Sequence, residues 1–329
     1  MSTDTLRRSL DRARNGVGSA GVGSARAGSP GGGRIGAPPA RRRITVKWTL
    51  LLFALPSLIL LVLLNAYPVV YAALQSLRNG DLIDPGSFVG LTNYATVLQS
   101  PEFWRAAGFT VVFTVVGVFG SWAIGLALAL LLRARTPGRG VFKVLLLLPW
   151  VVPIVVSATS WNWLVATPQS PLPMLTKALG LGDTLFLADP TLAQITVCVF
   201  KVWISFPFMM MMMSSALASV DVNVYEASRV DGAGRWQTFR HITMPMIARS
   251  TFISWILMTI FCVNDFPTVF LLTGGGPLQS TQTLVVLAYS TVFQNFQTGP
   301  GVAIAFMMTL VLVVISVFLY RRIRKVDIA

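Results

Sequence analysis

The chain has 329 residues, of which 54% are hydrophobic and only 12% charged, about half the charged share of a soluble domain. That balance excludes an ordinary soluble globular protein. The net charge of +14 does not call for a nucleic-acid partner, because basic loops and their contact with anionic lipid produce the same excess.

Residues 1–46 are rich in Gly, Ser, Ala and Arg and poor in large apolar side chains. They read as a disordered basic tail. A cleaved signal peptide does not fit, since the first apolar run starts 47 residues in, is too long, and lacks a small-residue cleavage site. That run is expected to stay as an anchor.

Crossing a bilayer takes roughly 20 mainly apolar residues. Six stretches of that length follow one another, at 48–71, 106–132, 144–166, 191–219, 247–272 and 302–320. The fourth carries one charge, Lys201, and the fifth carries one acid, Asp265. Buried helices of a soluble protein do not give uncharged runs this long. The expectation is an all-α integral membrane domain of six transmembrane helices over 47–325, with a short tail at 326–329.

Basic residues set the orientation. Residues 1–47 hold ten Lys/Arg against two acids. Arg133, Arg135, Arg139 and Lys143 follow the second stretch; Arg229, Arg235, Arg240 and Arg249 precede or open the fifth; Arg321, Arg322, Arg324 and Lys325 close the chain. The alternate loops, 78–105, 167–190 and 273–301, hold two, one and no basic residues. Both termini and the 221–245 loop are therefore expected in the cytoplasm.

Catalytic chemistry finds no constellation. There is no GxxxxGK[ST] phosphate loop, and the only histidine, His241, belongs to no metal set. Cys198 and Cys262 lie in predicted spans and share no motif, so neither a disulfide nor a metal site is expected. No catalytic residue, no metal and no cofactor is assigned to this chain.

The 221–245 loop has internal order. Asp221 and Asn223 suit a helix start, and Glu226 suits its first turns. Gly232 is expected to end that helix in the left-handed conformation. A second short helix fits Gly234 to His241, and Pro245 fits the first turn of the next membrane helix. A short helix–turn–helix with small residues on its first helix suits docking into a groove on another protein.

These residues carry a resemblance. Glu226-Ala227-Ser228, Gly232, Ile242 and Met244-Pro245 resemble the EAA loop of permease subunits of ABC importers, with Ser for Ala and Met for Leu as the departures. Leu272-Thr273-Gly274-Gly275-Gly276-Pro277 resembles the signature of sugar-type permeases, nearest the larger maltose permease or the glycerol-3-phosphate permease half. Phe88 to Tyr94, Leu148 to Pro153 and Trp203 to Met210 resemble segments of the same group, so the resemblance runs from about residue 46 to 325.

The resemblance implies the type I importer fold, in which six core helices pair with a homologous second permease subunit. It implies two ATPase subunits inside, which use ATP and magnesium, and an extracytoplasmic sugar-binding lipoprotein outside. The chain would form half of the pathway for a di- or oligosaccharide in a bacterial or archaeal cell membrane. The EAA loop would couple it to the ATPase through Glu226, Ala227, Ser228, Gly232, Ile242, Met244 and Pro245. Thr273, Gly275, Gly276 and Pro277 would form the signature segment.

Positions that align with the family's substrate-facing residues are Trp150, Ile154, Ile204, Ser205, Phe208, Phe261 and Asp265. Asp265 also stands out physically, since a carboxylate at membrane depth is costly and invites a functional reading. It stands where the maltose relative has an amide. Two readings remain open for it, a sugar contact and an ion pair with Lys201; for Trp150 and Phe208 the alternative is helix packing or lipid contact. Met209 to Met213 read as adaptable packing at a moving interface. The competing function is an ion-coupled secondary transporter acting alone, which calls for more intramembrane acids than one. A lipid-acting membrane enzyme lacks its catalytic groups.

Overall fold

The computed structural model describes residues 44–133 and 138–326, without the side chains of 44–49, 319 and 322–326. The tail expected at 1–46 lies outside the described residues up to residue 43. So do Arg135 and all but the first residue of the 326–329 tail. The chain divides into two compact units, 1–59 and 60–329. In the first, the described residues are helical and form the start of α1, Ile44–Ser76.

Among the described residues of the second unit the regular structure is helical, apart from one isolated bridge between Arg78 and Phe88. After α1 come α2 (Thr92–Gln99), α3 (Pro101–Leu131), α4 (Arg139–Val151), α5 (Ile154–Val165), α6 (Pro171–Ala178) and α7 (Pro190–Ala218). Then follow α8 (Val222–Val230), α9 (Arg235–Thr238), a π-helical turn at Phe239–Thr243 and α10 (Met244–Val263). The last are α11 (Phe266–Leu272), α12 (Leu284–Tyr289), a π-helical turn at Ser290–Gln294, and α13 (Thr298–Val326).

Five continuous helical runs are long and apolar enough to cross a membrane, and α4 with α5 makes a sixth if taken as one bent span. The six-span expectation is met in that form, with two corrections. The stretch 144–166 is not one rod: α4 and α5 meet at 91°. Pro153 has no N–H to donate, and its ring pushes Val152 into the extended region, φ −67° and ψ 134°. The stretch 247–272 also breaks, between α10 and α11, with Asn264 and Asp265 outside either helix.

The centre of the unit is the pairing of α3 with α7. At Gly125 of α3 a Cβ atom would lie 2.6 Å from the Met210 amide nitrogen, so glycine is what lets the two backbones approach. Phe113, Phe200, Met209, Met258 and Val269 are fully buried around this contact. Of the five successive methionines, Met209, Met210 and Met213 are buried while Met211 is exposed. The run is thus largely core rather than evenly spread around α7.

Helix starts follow side-chain capping. Asp189 accepts a bond from the Leu192 amide at 2.8 Å, and Ser100 accepts one from the Glu102 amide at 3.2 Å. Beside the end of α1, Asn93 Nδ2 donates to the carbonyls of Ser76 and Arg78, each at 2.8 Å, and Tyr94 bonds Ser76 Oγ at 2.9 Å. The Phe88–Tyr94 segment therefore holds the exit of α1.

Candidate functional site

Both helix breaks open onto one cavity of about 440 Å³. Irregular backbone at membrane depth persists only where it is buried in protein or lines a cavity. Trp150 and Ile154 flank the α4–α5 break; Ile204 and Ser205 come from α7; Phe261 comes from α10; Asp265 comes from the α10–α11 break. Six of the seven candidate residues thus line the same space. The seventh, Phe208, is not in that lining; it stacks on Trp150 with centroids 5.3 Å apart and sits edge-on to Phe261 at 5.6 Å.

Polar groups in the cavity are few and placed. Lys201 Nζ lies 2.6 Å from Asp265 Oδ2, and both side chains are 7% exposed. Asp265 also caps α11: its Oδ1 accepts from the Thr268 amide at 3.1 Å and its Oδ2 accepts from Thr268 Oγ1 at 2.7 Å. Gly117 of α3 leaves room for the lysine stem, since a Cβ there would sit 3.2 Å from Lys201 Cγ and 2.8 Å from Cys262 Sγ. Ser205 Oγ is buried and has no partner among the described residues. Asn264 donates to the Ile260 carbonyl at 2.9 Å, which leaves its side-chain oxygen available as an acceptor.

The sequence offers Lys201 only as a possible partner of Asp265 and does not mark Asn264, Met258 or Thr268 as lining residues. All four line the cavity. The signal for Lys201 was present, as the one charge within 191–219.

At the other feature, the 221–245 segment, Asp221 caps α8 by accepting from the Asn223 amide at 2.9 Å. Glu226 is at mid-helix, in the second turn, and is exposed with Ala227; Ser228 is buried. Gly232 ends the helix at φ +74°, a conformation that is costly for residues with a Cβ. The second short helix does not stop at His241. α9, the π turn and α10 run on as one helical stretch from Arg235 to Val263. Pro245 sits just after the π turn, in which the Met244 amide bonds the Phe239 carbonyl. This widened turn accommodates a residue that has no N–H for the His241 carbonyl. Ile242 and Met244 are half-buried; Met244 packs with Tyr225, Phe239 and Ile247 against Leu126, Met210 and Met213. The guanidinium of Arg133, at the end of α3, stands 4.1 Å over the Tyr225 ring. A cavity of about 880 Å³ is lined by residues of α8, of α9 and of the end of α3, with the exposed Trp236 among them.

The signature segment turns the chain after α11. Gly274 and Gly275 have φ of +62° and +92°, and Gly276 joins Pro277 through a cis bond. Thr273 Oγ1 lies 2.7 Å from Thr281 Oγ1, which donates to the Gly276 carbonyl at 2.7 Å. Gln194 of α7 donates to the Ser280 carbonyl at 2.7 Å. The segment is thus a braced turn pinned to α7, outside the lining of the cavity that holds Lys201.

A bent span, a second broken helix and a paired charge at a shared cavity define a polytopic membrane permease. Residues 121–327 match the family described as the binding-protein-dependent transport system inner membrane component, and the chain belongs to it. It is a transport permease component of the cell membrane. A probable ABC transporter permease protein of Sinorhizobium fredii is 35% identical over 279 residues, covering 84% of this chain and 90% of its own length. The trehalose/maltose transport system permease protein of Thermococcus litoralis is 32% identical over 275 residues, covering 83% and 92%. A crystal structure of a bacterial ABC transporter that imports the acidic polysaccharide alginate superposes with a TM-score of 0.74 at 22% identity, covering 86% of this chain and 97% of that one. That likeness establishes the type I importer permease fold.

Proposed function

We propose that this chain forms half of the translocation path of an ATP-driven sugar importer, with the cavity between α4, α5, α7, α10 and α11 as its substrate path. The carrying observation is the composition of that cavity. Its lining combines flat rings, Trp150 and Phe261, which pack with Phe208, and a few polar residues, Ser205, Asn264, Lys201 and Asp265. Sugars bind through such pairs of apolar faces and placed hydrogen bonds. Names of relatives support the class, since several serve trehalose or maltose systems.

In this reading both termini and the 221–245 segment face the cytoplasm. The exposed face of α8, with Glu226 and Ala227, seats in a separate ATPase subunit, which binds ATP and magnesium. A homologous second permease completes the path, and an extracytoplasmic binding protein delivers the sugar. The alginate importer, whose solved complex includes a periplasmic protein bound to an alginate pentasaccharide, is an example of such delivery. The ion-coupled alternative needs a free intramembrane acid, whereas Asp265 is already engaged by Lys201 and Thr268.

The test is uptake. Cells carrying the complete importer are given labelled mono-, di- and oligosaccharides, with Trp150→Ala and Phe261→Ala in parallel. Saturable, ATP-dependent sugar uptake whose KM rises in both variants is expected. Uptake indifferent to both substitutions removes this cavity from the path.

A further inference from the structure

The Lys201 ammonium carries three N–H donors. Among the described residues its one hydrogen-bond partner is Asp265 Oδ2, although the side chain is 93% buried and lines the cavity. The carboxylate is more fully engaged, with three of its roughly four acceptor sites taken: it accepts from Lys201, from the Thr268 amide and from Thr268 Oγ1. Capacity to bind a new acceptor therefore resides on the lysine, and Asp265 holds that lysine in place. The remaining lining contains no other charged side chain. Its fixed charge sums to zero.

We infer that Lys201 is a substrate-contacting, specificity-determining residue, and that its pairing with Asp265 makes the cavity select uncharged over acidic sugars. This rests on the sugar-path reading above. Two ammonium N–H groups donate to substrate hydroxyl oxygens, and charged donors make the stronger hydrogen bonds. A uronate would bring a net negative charge into a low-dielectric space whose one cation is already neutralised, so its desolvation would go uncompensated. Asp265 is a positioning residue: it fixes the lysine and cancels its charge.

The complete importer is tested with neutral trehalose, maltose and maltotriose and with their C6-uronate counterparts. The unaltered complex is expected to carry neutral members and not the uronates. Lys201→Met with Asp265→Asn removes both charges and keeps a side chain able to cap α11. KM for the neutral probe is expected to rise roughly tenfold, the loss of a charge-assisted bond, with the amount of assembled complex retained. Lys201→Arg restores most of the affinity. Asp265→Asn alone frees the ammonium's charge, and the ratio of uronate to neutral uptake rises several-fold, a change that a purely structural role would not produce. An unaltered complex that prefers uronates overturns the inference. So does a neutral-probe KM unchanged in the double variant while Trp150→Ala still raises it, which leaves the path itself standing. Transport of neither class, or indifference to Trp150→Ala as well, overturns the path together with it.

Discussion

Lys201 on α7 and Asp265 at the α10–α11 break are joined by an ion pair of 2.6 Å, 93% buried on both sides. The pair ties two helical elements that come from stretches 64 residues apart. It also settles one of the two readings left open by the sequence, since the pair exists, and it does so inside the cavity where the other reading placed Asp265. Pairing and lining are compatible because the ammonium, bonded to one acceptor, keeps two N–H donors.

Removing one partner of such a pair strands a buried charge, at a cost of about 3–5 kcal/mol, whereas removing both is nearly neutral. Asp265→Leu is expected to lower the yield and melting temperature of the purified complex. Lys201→Leu in the same chain is expected to recover most of that loss. Size-exclusion yield and a thermal unfolding curve check this, and a double variant as unstable as the single one refutes it.

Gly232 adopts φ +74° with open space around the position of a Cβ. The strain of a substitution is therefore in the backbone, about 1–2 kcal/mol for a side-chain residue in the left-handed region. Gly232→Val is expected to leave membrane insertion intact and to abolish uptake, with reduced retention of the ATPase subunit on co-purification. Normal uptake would remove the turn from coupling.

Gly125→Val addresses packing rather than conformation. A Cβ there meets the Met210 amide at 2.6 Å and the Met209 carbonyl carbon at 2.8 Å. These are backbone atoms that cannot swing aside. Overpacking of this kind costs roughly 1–3 kcal/mol, and α3 must shift from α7. A drop in folded protein recovered from membranes is the readout, set against a conservative exposed change such as Val112→Leu, which should have no effect.

The isolated chain in liposomes is expected to hydrolyse no ATP and to accumulate no sugar under a proton or sodium gradient. Its sequence has no phosphate loop, and its cavity offers no unengaged acid. Gradient-driven accumulation would restore the secondary-transporter reading.

Much of the molecule was legible in the sequence, because membrane depth imposes a one-dimensional rule. Each span must satisfy its own backbone and expose apolar side chains, so uncharged runs of sufficient length read as helices. The end of α8 at Gly232 and its cap at Asp221 were legible for a similar reason: they depend on neighbours only a few residues away. The 91° bend at Pro153 was not legible: apolar length alone reads 144–166 as one span. Nor was the continuation of α9 into α10 through a π turn, where local reading ended the helix.

What only the tertiary structure decided lies between stretches distant in the chain. Trp150 and Ile154, Ile204 and Ser205, and Phe261 and Asp265 fall on three separate predicted stretches, and only packing brings them around one cavity. Lys201 could be seen as a lone charge, yet its place in that cavity depends on Gly117 of α3 making room for its stem and on α10 ending just before Asp265. The sequence by itself determined the class of element and its solvent, since hydrophobic length and loop charge act locally. Which polar groups meet, and which of them keeps a donor to spare, is a property of three helices packed together, and no single stretch of chain contains it.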